Sequence, residues 1–126
     1  MSTVLIVEDN ALNMRLASAI LSSAGYSVLE ASTAEDGLAL AREERPDAIL
    51  MDIHLPGIDG ITALHRLRAD PVIRDTKVLL ITASAMADDA ERILAANFDG
   101  HVSKPFEIQA LLDTVAAVLR DSSARG

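Results

Sequence analysis

Short apolar runs alternating with helical periods constrain this chain more than any other feature. Val4-Leu5-Ile6-Val7 is uninterrupted and apolar, as a strand buried on both faces requires. From Leu12 the period changes. Leu12, Leu16 and Ile20 recur every four residues, with Ala17, Leu21 and Ala24 beside them, and Gly25 stands where a helix would end. Residues 26–30 read as a second strand. Ser32 and Glu35 then form an S-x-x-E capping box before a Leu38/Ala41 stripe, which Pro46 closes. Residues 47–51 read as a third strand. The turn-rich Pro56-Gly57-Ile58-Asp59-Gly60 leads into a helix carrying Ile61, Leu64 and Leu67, which ends near Asp70-Pro71. Residues 77–82 form a fourth strand, and Asp88-Asp89 open a fourth helix with Ile93, Leu94 and a left-handed cap at Asn97. Residues 100–103 form a short fifth strand. From Glu107 a fifth helix places Ile108, Leu111, Leu112, Val115, Val118 and Leu119 on one face.

Five β–α units predict right-handed crossovers and a doubly wound α/β fold, with a five-stranded parallel sheet covered on both sides. Residues 1–120 read as one domain and 121–126 as a flexible tail. The chain has 126 residues and no cysteine, so it can carry neither a disulfide framework nor a thiolate metal site, and a reducing, cytoplasmic setting suits it. Its 11 Lys+Arg against 19 Asp+Glu argue against a partner built of nucleic acid, whose binding rests on neutralising phosphates. No apolar run approaches the ~20 residues of a membrane span, and no basic n-region or cleavage signal precedes Val4. Tyr26, Phe98 and Phe106 are the only aromatic residues, which leaves little to stack on a flat cofactor or base.

In an open parallel sheet, ligands bind beyond the carboxyl ends of the strands. Here the first strand ends in Glu8-Asp9-Asn10, the third in Asp52, the fourth in Thr82-Ala83-Ser84 and the fifth in Ser103-Lys104-Pro105. Three carboxylates at one sheet edge repel each other unless a cation neutralises them or some of their pKa values rise. Oxygen ligands without Cys or a His cluster favour a hard cation, Mg²⁺ before Ca²⁺. A plainer role for Glu8 and Asp9 is capping the following helix. Asp52 directly follows an apolar strand, where a carboxylate can act as a nucleophile toward phosphorus. Lys104 is a cation to offset developing charge, and Thr82 offers a hydroxyl to a phosphoryl oxygen.

This constellation resembles the receiver domain of two-component response regulators. The resemblance rests on Leu5-Ile6-Val7-Glu8-Asp9-Asn10, Ile49-Leu50-Met51-Asp52-Ile53-His54-Leu55-Pro56-Gly57-Ile58-Asp59-Gly60, Ile81-Thr82-Ala83 and Ser103-Lys104-Pro105. It implies a sheet of order 2-1-3-4-5, and an Asp52 that accepts phosphate from a sensor histidine kinase or histidine phosphotransferase. It implies Mg²⁺ held directly by Asp9, Asp52 and the backbone carbonyl of His54, with Glu8 acting through water. Thr82 would be the switch hydroxyl, and Lys104, joined to Pro105 by a cis peptide, would contact the phosphoryl group. A downstream protein would read the face made by the fourth helix, fifth strand and fifth helix. Glu8 to Met14 and Thr82 to Met86 look most like the DivK-type single-domain cell-division regulators of alphaproteobacteria. The chain stops after its fifth helix, as a single-domain regulator would; a receiver excised from a hybrid kinase is the competing explanation.

One departure concerns the switch. Receivers usually carry Tyr or Phe three residues before the lysine, and this chain has His101, which reads as a half-exposed edge-strand residue. Asn97 stands where the family often has Gly, a position a left-handed Asn tolerates. Two other functions compete. A Mg²⁺-dependent phosphohydrolase working through an aspartyl-phosphate would need a D-x-D pair on the first strand and a cap, and the chain has neither. A flavodoxin-like carrier would need a hydroxyl- and Gly-rich phosphate loop, and the acidic Glu8-Asp9 loop repels phosphate. Receivers catalyse only their own phosphoryl uptake and loss, so no metabolic enzyme is expected.

Overall fold

A computed structural model describes residues 2–82, 98–104 and 106–125, the side chains of Thr82 and 121–125 aside. Its strands are β1 (Thr3–Val7), β2 (Ser27–Ala31), β3 (Ala48–Asp52), β4 (Lys77–Thr82) and β5 (Gly100–Ser103). They pair in parallel in the order β2-β1-β3-β4-β5, as the resemblance implied. The described helices are α1 (Ala11–Ser23), α2 (Ala34–Glu44), α3 (Gly60–Ala69) and the C-terminal α4 (Ile108–Arg125). The helix expected from Asp88, its Asn97 cap and Pro105 lie outside the described residues.

Strand alternation sorts the apolar runs into two cores. Leu5, Val7, Ile49, Met51, Val78 and Leu80 point to one face and pack with α2 and α3 through Ala34, Ala41, Ile61, Leu64 and Leu67. Val4, Ile6, Ala48, Leu50, Leu79 and Ile81 point to the other, against Ala17, Ile20 and Leu21 of α1 and Leu111, Val115 and Val118 of the C-terminal helix. Of the aromatics, Phe106 joins the second core and half-buried Phe98 packs on the first.

Three helices depart in detail from the expected pattern. The cap of α2 is Thr33, whose hydroxyl accepts from Asp36 N at 3.1 Å, one residue beyond the expected Ser32. That start places Ala34, Gly37 and Ala41 on the buried face, with Gly37 against Val7. In α1 the four-residue spacing does not stay on one face, because each step of four turns the helix about 40° too far. Ile20 is buried, but Leu16 is 40% and Leu12 72% exposed. The C-terminal helix runs on to Arg125, beyond the apolar stripe that ends at Leu119, since no Gly or Pro interrupts residues 108–125.

The amino end of the sheet is pinned by charge. Asp99 Oδ2 accepts from Val78 N at 2.9 Å and from Arg68 Nη2 at 3.0 Å, while its Oδ1 lies 3.6 Å from the buried Lys77 Nζ. Arg68 Nη1 also donates to the carbonyls of Arg74 and Thr76, tying α3 to the start of β4. Replacing Asp99 by Ala removes the carboxylate from two cations and a backbone N–H. Such a loss costs about 3 kcal/mol. Urea denaturation of Asp99→Ala should show that drop without a change in m-value, and a loss below about 1 kcal/mol would mean that the cluster adds little.

Candidate functional site

Residues far apart in the chain meet at the carboxyl edge because β1 and β3 are neighbours and β4 and β5 come next in order. β1 ends at Val7, and the extended chain beyond it turns Glu8 inward and leaves Asp9 exposed. Asn10 stops the strand and caps α1, its Oδ1 accepting from Asn13 N at 3.0 Å. Its own N–H faces Glu8 Oε2 at 3.4 Å. Helix capping and acid-cluster geometry thus coexist in Glu8-Asp9-Asn10, with Asn10 rather than either acid as the cap.

Asp52 closes β3 and is 3% exposed; Glu8 is 1% exposed. Carboxylate oxygens of Glu8, Asp9 and Asp52 all lie within 4.8 Å of one another. Lys104, just after β5, reaches across the gap. Its Nζ lies 2.8 Å from Asp52 Oδ2 and 2.7 Å from Glu8 Oε1. The other Asp52 oxygen, Oδ1, accepts from the backbone N–H of His54 at 3.0 Å. The His54 side chain is exposed. Thr82 and Ser103 are register partners at the ends of β4 and β5, which puts the Thr82 backbone on the same edge; its side chain is outside the described set. His101 lies on β5 opposite Leu80 with its side chain exposed, away from the acid cluster.

The electrostatics arise from crowding. Burial, reinforced by the adjoining Asp52 carboxyl and opposed by Lys104, pushes Glu8 up to about 7. Burial by itself would lower the Lys104 ammonium, but Asp52 and Glu8 outweigh it and hold Lys104 above the usual lysine value. Three carboxylates therefore cluster beside one ammonium, and burial first, then the Asp52 carboxyl, raises Glu8 to about 7. That excess of hard oxygen donors fits a divalent cation of the Mg²⁺ type.

Sequence reasoning brought Glu8, Asp9, Asp52 and Lys104 to one pocket, and the structure places them together. It missed the His54 N–H as a donor to Asp52 and the role of Lys104 as a bridge between two acids. Side-chain motifs cannot reveal a backbone donor.

An acidic, lysine-bridged pocket at the carboxyl edge of a 2-1-3-4-5 parallel sheet defines a CheY-like receiver. The family model of the response regulator receiver domain matches residues 4–116, and the chain belongs to that family, whose members serve two-component signalling. It is 38% identical over 120 residues to the polar-differentiation response regulator DivK of Brucella anthropi, covering 95% of this chain and 98% of the relative. A response regulator receiver domain protein from Methanospirillum hungatei superposes with a TM-score of 0.91 at 28% identity, over 100% of this chain and 99% of its own. The receiver domain of a sensor histidine kinase from Pseudomonas aeruginosa, solved with magnesium in its active-site cleft, superposes with a TM-score of 0.88 at 33% identity, over 94% and 97% of the two chains.

Glu8 sets a pH dependence. Its carboxyl rises from the ordinary 4.5 to about 7 on folding, so the folded state holds this proton more tightly than the unfolded chain. The stability it contributes is complete below the unfolded value and disappears as pH rises through about 7. In EDTA, the stability of wild type relative to Glu8→Gln should fall by on the order of 2–3 kcal/mol between about pH 5 and pH 8. Added Mg²⁺ should stabilise wild type more at the higher pH, because it replaces the proton. A difference between the two proteins that stays flat with pH would contradict this account.

Proposed function

We propose that this receiver is a phosphorylation-controlled switch whose phosphoacceptor is Asp52. One observation carries the reading: a buried carboxylate is fixed by Lys104 Nζ on one oxygen and by the His54 N–H on the other, inside an acid cluster at a strand end. A phosphohistidine of a sensor histidine kinase or histidine phosphotransferase supplies the group. An Asp52 oxygen forms the new O–P bond while the P–N bond to histidine breaks. The histidine nitrogen keeps the electron pair and later takes a proton, and Asp52 becomes an acyl phosphate. Lys104 offsets charge on the phosphoryl oxygens, at the expense of its bond to Asp52.

Asp9, Asp52 and the backbone carbonyl of His54 would hold Mg²⁺, with Glu8 assisting through water. When bound, the ion supplies charge neutralisation at the transferring group. Thr82 is the hydroxyl that meets the phosphorylated Asp52, and the product carries about −1.5 to −2 charge where one carboxylate stood. The result is a shift between two pre-existing states, read by a downstream protein on the face that includes β5 and the C-terminal helix. His101 stands on that face at the position where receivers usually carry the aromatic switch. The setting is cytoplasmic, and residues 1–120 form the working domain. No helix among the described residues is long and apolar enough to cross a membrane.

Donor docking accounts for the exposed start of the α1 stripe at Leu12. Leu12 at 72% and Ile108 at 60% exposure begin the two helices that come after Asp9 and Lys104, and those helices touch. A protein carrying phosphohistidine must cover this rim to reach Asp52.

Asp52→Ala should abolish acid-labile phosphate uptake from a cognate phosphohistidine protein, and undiminished labelling would move the acceptor elsewhere. Lys104→Ala should slow uptake about a hundredfold. Leu12→Glu should slow transfer from the protein donor while leaving uptake from acetyl phosphate unchanged. Equal slowing with both donors would place Leu12 in the chemistry and not in docking.

A further inference from the structure

Among the described glycines, Gly60 alone has backbone atoms nearest to where a side chain would begin. A Cβ there would collide with the carbonyl oxygen of Asp52 and lie 2.8 Å from the Asp52 carbonyl carbon and 2.9 Å from Ile53 Cα. At Gly37 and Gly100 the nearest atoms belong to the side chains of Val7 and Leu79. Those can rotate away, whereas a peptide unit cannot. Gly60 does not have positive φ, so backbone freedom is not what the position requires.

That peptide and the Ile53–His54 peptide after it are held at three points. Ile53 N donates to Ile81 O of β4 at 3.1 Å, Gly60 N donates to Ile53 O at 2.9 Å, and His54 N donates to Asp52 Oδ1 at 3.0 Å. α3 has no room to retreat. Asp59 caps it through Thr62 N at 2.8 Å, and Ile61, Ala63, Leu64 and Leu67 bury its inner face in the core. An added methyl would therefore displace the Asp52–Ile53 peptide, and the carboxylate with it.

We infer that Gly60 is a positioning residue for Asp52: the bare first residue of α3 seats directly on the Asp52–Ile53 peptide and sets where the carboxylate stands relative to Glu8, Lys104 and the His54 N–H. The effect on phosphate uptake rests on the function proposed above, whereas the geometric claim does not. Alanine is the better helix former, so substitution should favour α3 taken alone, and any loss reports the collision.

The test compares Gly60→Ala with wild type by the ¹H–¹⁵N amide signal of His54, by thermal unfolding and by the rate of label uptake from phosphoramidate. The expected result is a displaced His54 signal and uptake slowed at least tenfold. Gly100→Ala, crowded only by side chains, should lower the melting temperature and leave the His54 signal in place. A wild-type His54 signal in Gly60→Ala, with uptake within twofold of wild type, would overturn the inference. If Gly60→Ala does not fold, Asp59→Ala serves in its stead, since it frees the α3 terminus without adding an atom. It should displace the His54 signal and slow uptake at least threefold; wild-type values for both would again overturn the inference. If wild-type protein takes no label at all, the phosphoacceptor reading fails, and the His54 signal still decides whether Gly60 positions Asp52.

Discussion

One ammonium held between two buried carboxylates is what the carboxyl edge of this molecule depends on. Glu8 and Asp52 are almost inaccessible to solvent and adjoin each other. Without a cation between them, at least one would surrender its charge or the strand ends would part. Lys104 resolves this with contacts of 2.7 and 2.8 Å, and in doing so ties the end of β5 to the ends of β1 and β3. The balance is incomplete because three acids meet one base, and burial together with the adjoining Asp52 raises Glu8 to about 7. A pocket with that residual demand is poised for added positive charge and for the exchange of Lys104 between a carboxylate and another anion.

Much of this was legible because parallel-sheet topology is severe. Runs such as Val4-Leu5-Ile6-Val7 and Val78-Leu79-Leu80-Ile81 have no polar face, so they must be interior strands, and the residues directly after them must emerge at one edge. The residues that follow the strands, Glu8, Asp9, Asp52 and Lys104, therefore meet at one edge. The order of the strands came from family resemblance, since apolarity alone does not rank central strands. Where the reading slipped, the cause was rotational or local. Leu12 and Leu16 share a spacing with Ile20 but not its side of the helix, and Ser32 and Thr33 are chemically equivalent caps separated by one residue. The contacts of Gly60 and the His54 N–H carry no side-chain signature; the first is disclosed by the seating of α3 against Asp52 and Ile53, the second by the turn after β3.

The amino and carboxyl edges use charge in opposite ways. At the amino edge Asp99 meets Arg68 and Lys77, so cations outnumber the acid and the cluster closes on itself. At the carboxyl edge acids outnumber the cation. A net charge of −8 spread evenly would distinguish neither end. The asymmetry makes one edge a staple and leaves the other with unspent affinity for a cation.

Stiffness is divided across the sheet in a manner suited to a switch. β3 is bonded on both sides, to β1 and β4, and every one of its residues is buried. Asp52 is further locked through its neighbour Ile53, bound to both β4 and α3. β5 pairs only with β4, spans four residues and buries one of them. Under the function proposed above, a new charge on Asp52 would push against the better-bonded centre, and strain would be relieved where fewer contacts resist it. Lys104 spans the two regimes, with its ammonium at the rigid centre and its backbone at the end of the edge strand. Under the proposed function, an anion that draws Lys104 off Asp52 and Glu8 would free the end of β5 from the ends of β1 and β3, which is how charge at the centre would reach the edge.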